Sequence, residues 1–516
     1  HETRVSDEGD DTPTDAEGTG AAESDSAADA ESSPMAAMRA AQHGDVTSAQ
    51  AMMKATNITQ KGEGKVVAII DTGVEMNHPA FSGALHGTPA IDSSKGAALA
   101  RQVGKSGTYV SEKFPFAYDY ADDDNDASPA GSHGTHVAGI TAGNGGQITG
   151  IAPDAQIIVG KVARSRGGIP DSALLGALDD MADIKPDVVN MSLGRTAGMD
   201  SAADTLFAGV YEKLQEKGIT LDVAGGNEFQ AGYGNKSGKN LPYASDPDSS
   251  TLGEPGSFAP VVTVASIENA RNGANGNYKM SDFSSWGVSP DMRLKPEVTA
   301  PGGNIYSSVP GGGYKMMSGT SMATPQMTGA SAVVLERVQN DPLFSSLNDR
   351  QKVDVVQNLI MGTAVPVVDP GQGGGAYYSP RKQGAGLANL EAATNSSVYP
   401  TVNGATDASR PKADLGDGTN GWHFDVTLHN VSDTPATYEL SSQALSENIE
   451  GGFFTGHSTD WNGKGVSVSF SGSSVTVPAK GETTVGIDIK PGNEFAQYVS
   501  ANAPAGTFLD GFVRFT

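Results

Sequence analysis

Between Lys65 and about residue 386, two kinds of apolar pattern alternate along the chain. The runs VVAIID, PDVVNMS, ITLDVAGGN and APVVTVAS are short and nearly continuous, as strands buried on both faces are. The segments HGTHVAGITAG, DSALLGALDDMA, DTLFAGVYEKLQEKG, SMATPQMTGASAVVLERV and DRQKVDVVQNLIM repeat with helical spacing. Strands alternating with helices predict an α/β domain over 56–395, a parallel sheet covered by helices.

After Ala393 the period becomes two. Trp422, Phe424, Val426 and Leu428 alternate with polar residues, as do Val466, Val468 and Phe470, and then Val485, Ile487 and Ile489. This predicts an all-β antiparallel sandwich over 396–516. The closing FLDGFVRFT reads as a strand in need of a partner, so the natural chain is expected to run further. Ahead of the α/β domain, residues 1–55 form a third unit. Its first 35 or so are acidic and almost without large apolar side chains, too few to offset the entropy of ordering, and are expected to be disordered. Met35, Met38, Met52 and Met53 among alanines predict a short helix against the body.

Composition narrows the function. The chain has 516 residues, more than one core usually organises, and a formal charge of -26, which opposes capture of nucleic acid or of an anionic membrane surface. Cysteine is absent, which removes disulfides, thiolate nucleophiles and cysteine-zinc sites. No run approaches the roughly 20 apolar residues of a membrane helix, so no membrane insertion is expected. His1 opens a polar stretch without signal-peptide features, so a secreted form is expected to have lost its signal, and any anchor lies outside this chain.

Four polar residues stand where the α/β pattern puts loops at the carboxyl edge of the sheet, the edge at which ligand sites form. Asp71 closes the first strand in a DTG turn, and a carboxylate there can hold an imidazole in one tautomer; alone it could equally be a turn residue. His133 opens HGTHVAG behind a capping Ser132. Ser321 stands at the start of a long helix after SGT, and could alone be an N-cap. Asn227 follows paired glycines in AGGNE, where its amide can donate to an oxyanion or simply make a turn. Two histidines three apart, His133 and His136, lack the spacing and the glutamate of a zinc-binding helix. DTG also marks aspartic proteases, but those need a second such carboxylate and no second DTG or DSG occurs. The chain order Asp, His, Ser is that of the subtilisin triad.

With these residues, IIDTGVEMNHPAF, SHGTHVAGI, GIAPDAQI, VVNMSLG, AGGN and SGTSMATP resemble the signature segments of the subtilisin-like serine proteases. The resemblance implies a secreted or cell-surface endopeptidase in which Asp71 orients His133, His133 is the general base, Ser321 attacks, and Asn227 with the Ser321 N–H binds the oxyanion. It also implies that Ser192, Leu193 and Gly194 pair with substrate backbone and that Ala224, Gly225 and Gly226 line the primary specificity pocket. FSSWGVSPDMRLKPEVTAPGGNIYSSV, YYSPRKQGAG and FVRF further resemble the cell-envelope proteinases of Gram-positive bacteria, the lactocepin and C5a peptidase branch, which carry a fibronectin type III-like domain after the protease. Members of that branch usually insert a protease-associated domain that can help govern substrate access; here only RNGANGNYK stands at that place.

The partners so implied are protein or peptide substrates, acted on by a monomer that needs no cofactor for its chemistry. Asp122, Asp123, Asp124, Asn125 and Asp126 offer oxygen ligands for a structural calcium ion, or form a solvated loop. A surface adhesin on a protease fold is the rival from another class; such relatives lose a triad residue, and this chain keeps all of them.

Overall fold

The structure is a computed structural model describing residues 2–3, 46–105, 109–164, 168–196, 198–199, 202–229, 250–270, 278–405, 407 and 409–516. Apart from Glu2–Thr3, which pair with Ile169–Pro170, the acidic tail, Met35, Met38 and most of RNGANGNYK lie outside the described residues.

Seven described strands build one sheet: β1 (Val66–Asp71), β2 (Phe116–Asp119), β3 (Gln156–Lys161), β4 (Val188–Met191), β5 (Thr220–Ala224), β6 (Val262–Glu268) and β7 (Val298–Gly303). Their spatial order is β7-β6-β5-β4-β1-β3-β2, and every neighbouring pair is parallel. All residues of β1 and β3 are buried, so a run such as VVAII shows no polar alternation.

Five helices matter for the site: α1 (His133–Ala142), α2 (Asp171–Ile184), α3 (Thr205–Glu216), α4 (Thr320–Asn340) and α5 (Asp349–Thr363). Successive β1 side chains go to opposite faces. Val67 and Ile69 join Val137, Ile140, Met322 and Met327 of α1 and α4. Ala68 and Ile70 join Leu174, Leu178, Phe207 and Tyr211 of α2 and α3. Each buried branched side chain contributes about 1.5–3 kcal/mol, so both layers of helices are held to the sheet by the same strand.

The second unit has two antiparallel sheets formed by β8 (Val398–Val402), β9 (Trp422–Asn430), β10 (Ala436–Glu450), β11 (Phe453–Asp460), β12 (Val466–Phe470), β13 (Ser474–Val477), β14 (Glu482–Pro491) and β15 (Asp510–Phe515). One sheet runs β8-β9-β14-β12 and the other β11-β10-β13, with β15 also on β10. Val426, Leu428, Val475, Val477, Val485 and Ile487 fill the space between them. The closing strand finds its partner inside the chain, with Leu440 opposite Phe515 and Leu445 opposite Asp510.

Several elements escaped the periodicity. β7 reads VTAPGG, an unpromising strand, yet it is an edge strand, where a proline is tolerated. β2 has only four residues, and β3 is hidden behind the polar Gln156. A hairpin of Ile305–Val309 and Gly313–Met317 and a helix at Asn493–Asn502 also went unpredicted. Of the predicted methionine helix, the described part is Val46–Met52, and Met52 and Met53 are buried. Ser132 stands at the N-cap of α1 but its side chain makes no capping bond, a correction to the expectation above.

A charged seam joins the two units. Arg381, buried to 1 % exposure, donates from Nε to Asp510 (2.8 Å) and from Nη1 to Glu447 (3.0 Å), with its guanidinium 4.5 Å from the Phe508 ring centre. Ser379 donates to the same Asp510 carboxylate, and His457 pairs with Asp369 at 2.8 Å.

Candidate active site

Asp71 ends β1 with its carboxylate buried at 1 % exposure. Its Oδ1 accepts the Thr72 N–H at 2.7 Å, which fixes the turn, and its two oxygens lie 2.8 and 3.0 Å from Nδ1 of the equally buried His133. Turn residue and imidazole holder are therefore the same residue. His133 is the first residue of α1, and Gly134 lets the helix start this close. A Cβ there would stand 2.3 Å from the Gly73 carbonyl oxygen. The Gly134 N–H instead reaches Thr72 Oγ1 at 3.0 Å.

Ser321 is the second residue of α4, whose N-cap is Gly319 at φ +157°, so it is not an N-cap itself. Its hydroxyl donates to the Ser192 carbonyl at 3.1 Å. Strand register then brings the two halves together. Ile69 on β1 pairs with Asn190 on β4, and two residues on Asp71 comes level with Ser192 on strands about 4.8 Å apart. The helices agree. A Cβ on Gly329 of α4 would lie 3.1 Å from the Thr141 carbonyl of α1, and both positions are eight residues beyond Ser321 and His133. Both helices thus open at the same edge of the sheet, with their N–H ends toward it.

Asn227 follows β5. Its Oδ1 accepts from the backbone N–H of Thr320 (2.9 Å) and from Thr320 Oγ1 (3.0 Å), and that Oγ1 accepts the Gly226 N–H at 3.1 Å. The amide oxygen is pinned to the start of α4, which sets the Nδ2 edge of the side chain beside Gly319, 3.4 Å from where a Cβ would be. Gly226 has φ +107°, a backbone state that L side chains rarely adopt. The pairing of these two strands ends at Met191 with Val223; Ser192, Leu193 and Gly194 continue one and Ala224, Gly225 and Gly226 the other, with the Gly253 N–H on the Gly225 carbonyl and Arg195 paired with Glu254 beyond them. Ser192 Oγ takes the Asn190 amide at 3.0 Å and the Leu193 side chain is buried, so these strands present mainly backbone at the cleft.

Thr72 and Thr320 were not singled out from sequence. One ties α1 to the DTG turn and the other ties Asn227 to α4, and the only signal was their place inside quoted segments, DTG and SGTS. His136 points away from the cleft, its Nε2 3.1 Å from the carbonyls of Ile305 and Lys315; burial drives its pKa down to about 3, so it stays neutral. In the acidic loop Asp123 accepts from Tyr118, Asp124 from the Asp126 N–H, and Asp126 from the Ser128 N–H. Among the described residues no group of three or more histidines and carboxylates is arranged to hold a metal ion.

The sequence model of the subtilase family matches residues 62–395, the segment containing Asp71, His133, Asn227 and Ser321. The chain belongs to the subtilase family. Residues 414–516 of this subtilase match an Fn3-like domain, in agreement with the antiparallel sandwich. Relatives include the C5a peptidase of Streptococcus pyogenes serotype M1, 24% identical over 600 residues that take in 88% of this chain and 48% of that protein. The PI-type proteinase of Lactococcus lactis subsp. cremoris and the PII-type proteinase of Lacticaseibacillus paracasei are each 24% identical over 636 residues, 89% of this chain and 32% of theirs. The subtilase is thus homologous to the Gram-positive cell-envelope proteinases at low identity, without matching any one of them as its counterpart. It spans less than half the length of these relatives, and the aligned lengths exceed its own 516 residues, so they carry residues that it lacks.

Proposed function

We propose that this subtilase is a serine endopeptidase that cleaves extracellular proteins or peptides through an acyl-enzyme, secreted or held at a bacterial cell wall. The observation that carries the reading is the buried pair of His133 Nδ1 with both Asp71 oxygens, level in register with the Ser192 carbonyl that takes the Ser321 hydroxyl. Donation from Nδ1 to Asp71 leaves Nε2 as the basic nitrogen of a neutral imidazole.

In the free protein the Ser321 hydroxyl is parked on Ser192. A substrate strand laid along Ser192 offers its own N–H to that carbonyl, which releases the hydroxyl for His133. His133 takes the proton as Ser321 attacks the carbonyl carbon, and then returns it to the leaving amine. The negative oxygen forms against the Asn227 amide and the Ser321 N–H at the positive end of α4. Asp71 holds the imidazolium but keeps its own charge.

The test uses purified protein and a mixed peptide library read by mass spectrometry. The native chain is expected to cut internal peptide bonds, and Ser321→Ala to lose cutting by about 10^6-fold, the scale seen in subtilisin, with its melting temperature nearly unchanged. Equal cleavage by the folded variant refutes the assignment.

A further inference from the structure

Two residues distant in sequence hold the chain around Asn227. Thr320 takes the Asn227 amide oxygen and the Gly226 N–H. The other is Ser285. Its N–H donates to the Gly226 carbonyl at 3.0 Å, and its Oγ accepts the Glu228 N–H at 3.0 Å. These two bonds fall on the two peptide planes that meet at the Asn227 Cα, one before it and one after. A peptide plane is rigid, so fixing both fixes the backbone torsions of Asn227 and the direction in which its side chain leaves the chain.

The fit is close. A Cβ on Gly226 would stand 2.8 Å from Ser285 Oγ, so the hydroxyl occupies space that a side chain at 226 would need. Ser285 is buried to 1 % exposure and anchored on both sides. Ser284 Oγ accepts the Ser266 N–H of β6 at 3.0 Å, the Trp286 N–H donates to Thr251 Oγ1 at 3.0 Å, and the Gly287 N–H donates to the Arg381 carbonyl at 2.8 Å. The same Thr251 hydroxyl bonds the Phe229 carbonyl, and the Phe229 N–H reaches the Phe283 carbonyl at 3.0 Å. Residues 283–286 are thus a fixed bed under 226–229.

Within that bed the Ser285 hydroxyl does what no backbone group does: it satisfies the half-buried Glu228 N–H, which an alanine at 285 would leave without this acceptor. The requirement at the other end is strict. An oxyanion donor has to stand about 2.7–3.1 Å from the place where the charge develops, and a misplacement of about 1 Å costs up to about 100-fold in rate. Thr320 holds the oxygen of the Asn227 amide, and Ser285 holds the backbone from which that amide projects.

We infer that Ser285 is a positioning residue for the oxyanion site, acting through the two peptides that flank Asn227. The inference rests on the endopeptidase reading and on Asn227 as an oxyanion donor. It adds no group that touches substrate.

The test measures kcat and KM for a fluorogenic peptide that the native protein cuts, and the affinity for a peptide boronic acid, whose tetrahedral adduct on Ser321 presents an oxygen to the oxyanion site. The proteins are the native chain, Ser285→Ala, Asn227→Ala and the double variant. Ser285→Ala is expected to lower kcat about tenfold with KM within about twofold, and to weaken the boronic acid by a similar factor, as loss of an interaction made in the transition state does. In the Asn227→Ala background the same change should cost less than about twofold, since the donor it positions is gone. A kcat within about twofold of native, a loss carried by KM, or an equal loss in both backgrounds overturns the inference. If Ser285→Ala fails to fold, Ser285→Cys, close to serine in shape but a weak acceptor, is read in the same way. Failure of both to fold makes Ser285 a residue of stability and overturns the inference too. A folded native protein that cuts no peptide overturns the endopeptidase reading instead, and full activity in Asn227→Ala overturns the oxyanion assignment.

Discussion

The cleft and the seam between the two units both bury ionisable groups, and to opposite ends. At the seam, Arg381 is held by Glu447 and Asp510 with a ring against its face, and the contacts run between elements far apart in sequence. At the cleft, Asp71, His133 and Ser321 each stand at the end of a strand or the start of a helix, where parallel strands and helix openings converge. Buried charge at the seam fastens two domains. At the cleft it holds an imidazole in one orientation.

The largest effect that would sharpen this contrast is on stability. Arg381→Met leaves two buried carboxylates without their cation and is expected to cost about 3–5 kcal/mol, seen as a lowered melting temperature, while the protein that remains folded keeps its rate per site. A variant that melts normally but loses activity would break the contrast. Asn227→Ala acts mainly on rate: kcat should fall by about 100- to 1,000-fold through loss of one oxyanion donor, with a smaller drop in melting temperature than in Arg381→Met from the lost Thr320 contacts. A loss of only a few fold removes Asn227 from the site.

A smaller effect concerns Asp222, under the cleft on β5, where burial raises the carboxyl pKa to about 7 despite the Ser331 hydroxyl at 3.2 Å. Below about pH 4 both folded and unfolded chains hold this proton. Above it the unfolded chain releases its proton first, so this group's contribution to stability falls as pH rises through about 7. Asp222→Asn should therefore raise the melting temperature over the native protein by more at pH 8 than at pH 4.5. A difference independent of pH contradicts the raised pKa.

The same contrast explains what the sequence disclosed. Asp71, His133, Asn227 and Ser321 lie in short local segments with glycines that the backbone demands, as at Gly134 and Gly226, so they could be read one segment at a time. The strands of the sheet interior were legible as apolar runs, whereas β7 was masked by Pro301 and its glycines and β2 by its length. Thr72 and Thr320 escaped because threonine has many ordinary uses and their bonds join elements 62 and 93 residues apart. Arg381 and its carboxylates, 66 and 129 residues distant, carry no local pattern at all.

The most direct measurement is the rate at which a fluorophosphonate modifies Ser321 in the native protein and in Asp71→Asn. An imidazole held by Asp71 to take the serine proton predicts one label per chain, on Ser321, and a slowing of about 10^4-fold in the variant. Labelling of folded native protein elsewhere than Ser321, or at the same rate in both proteins, would contradict it.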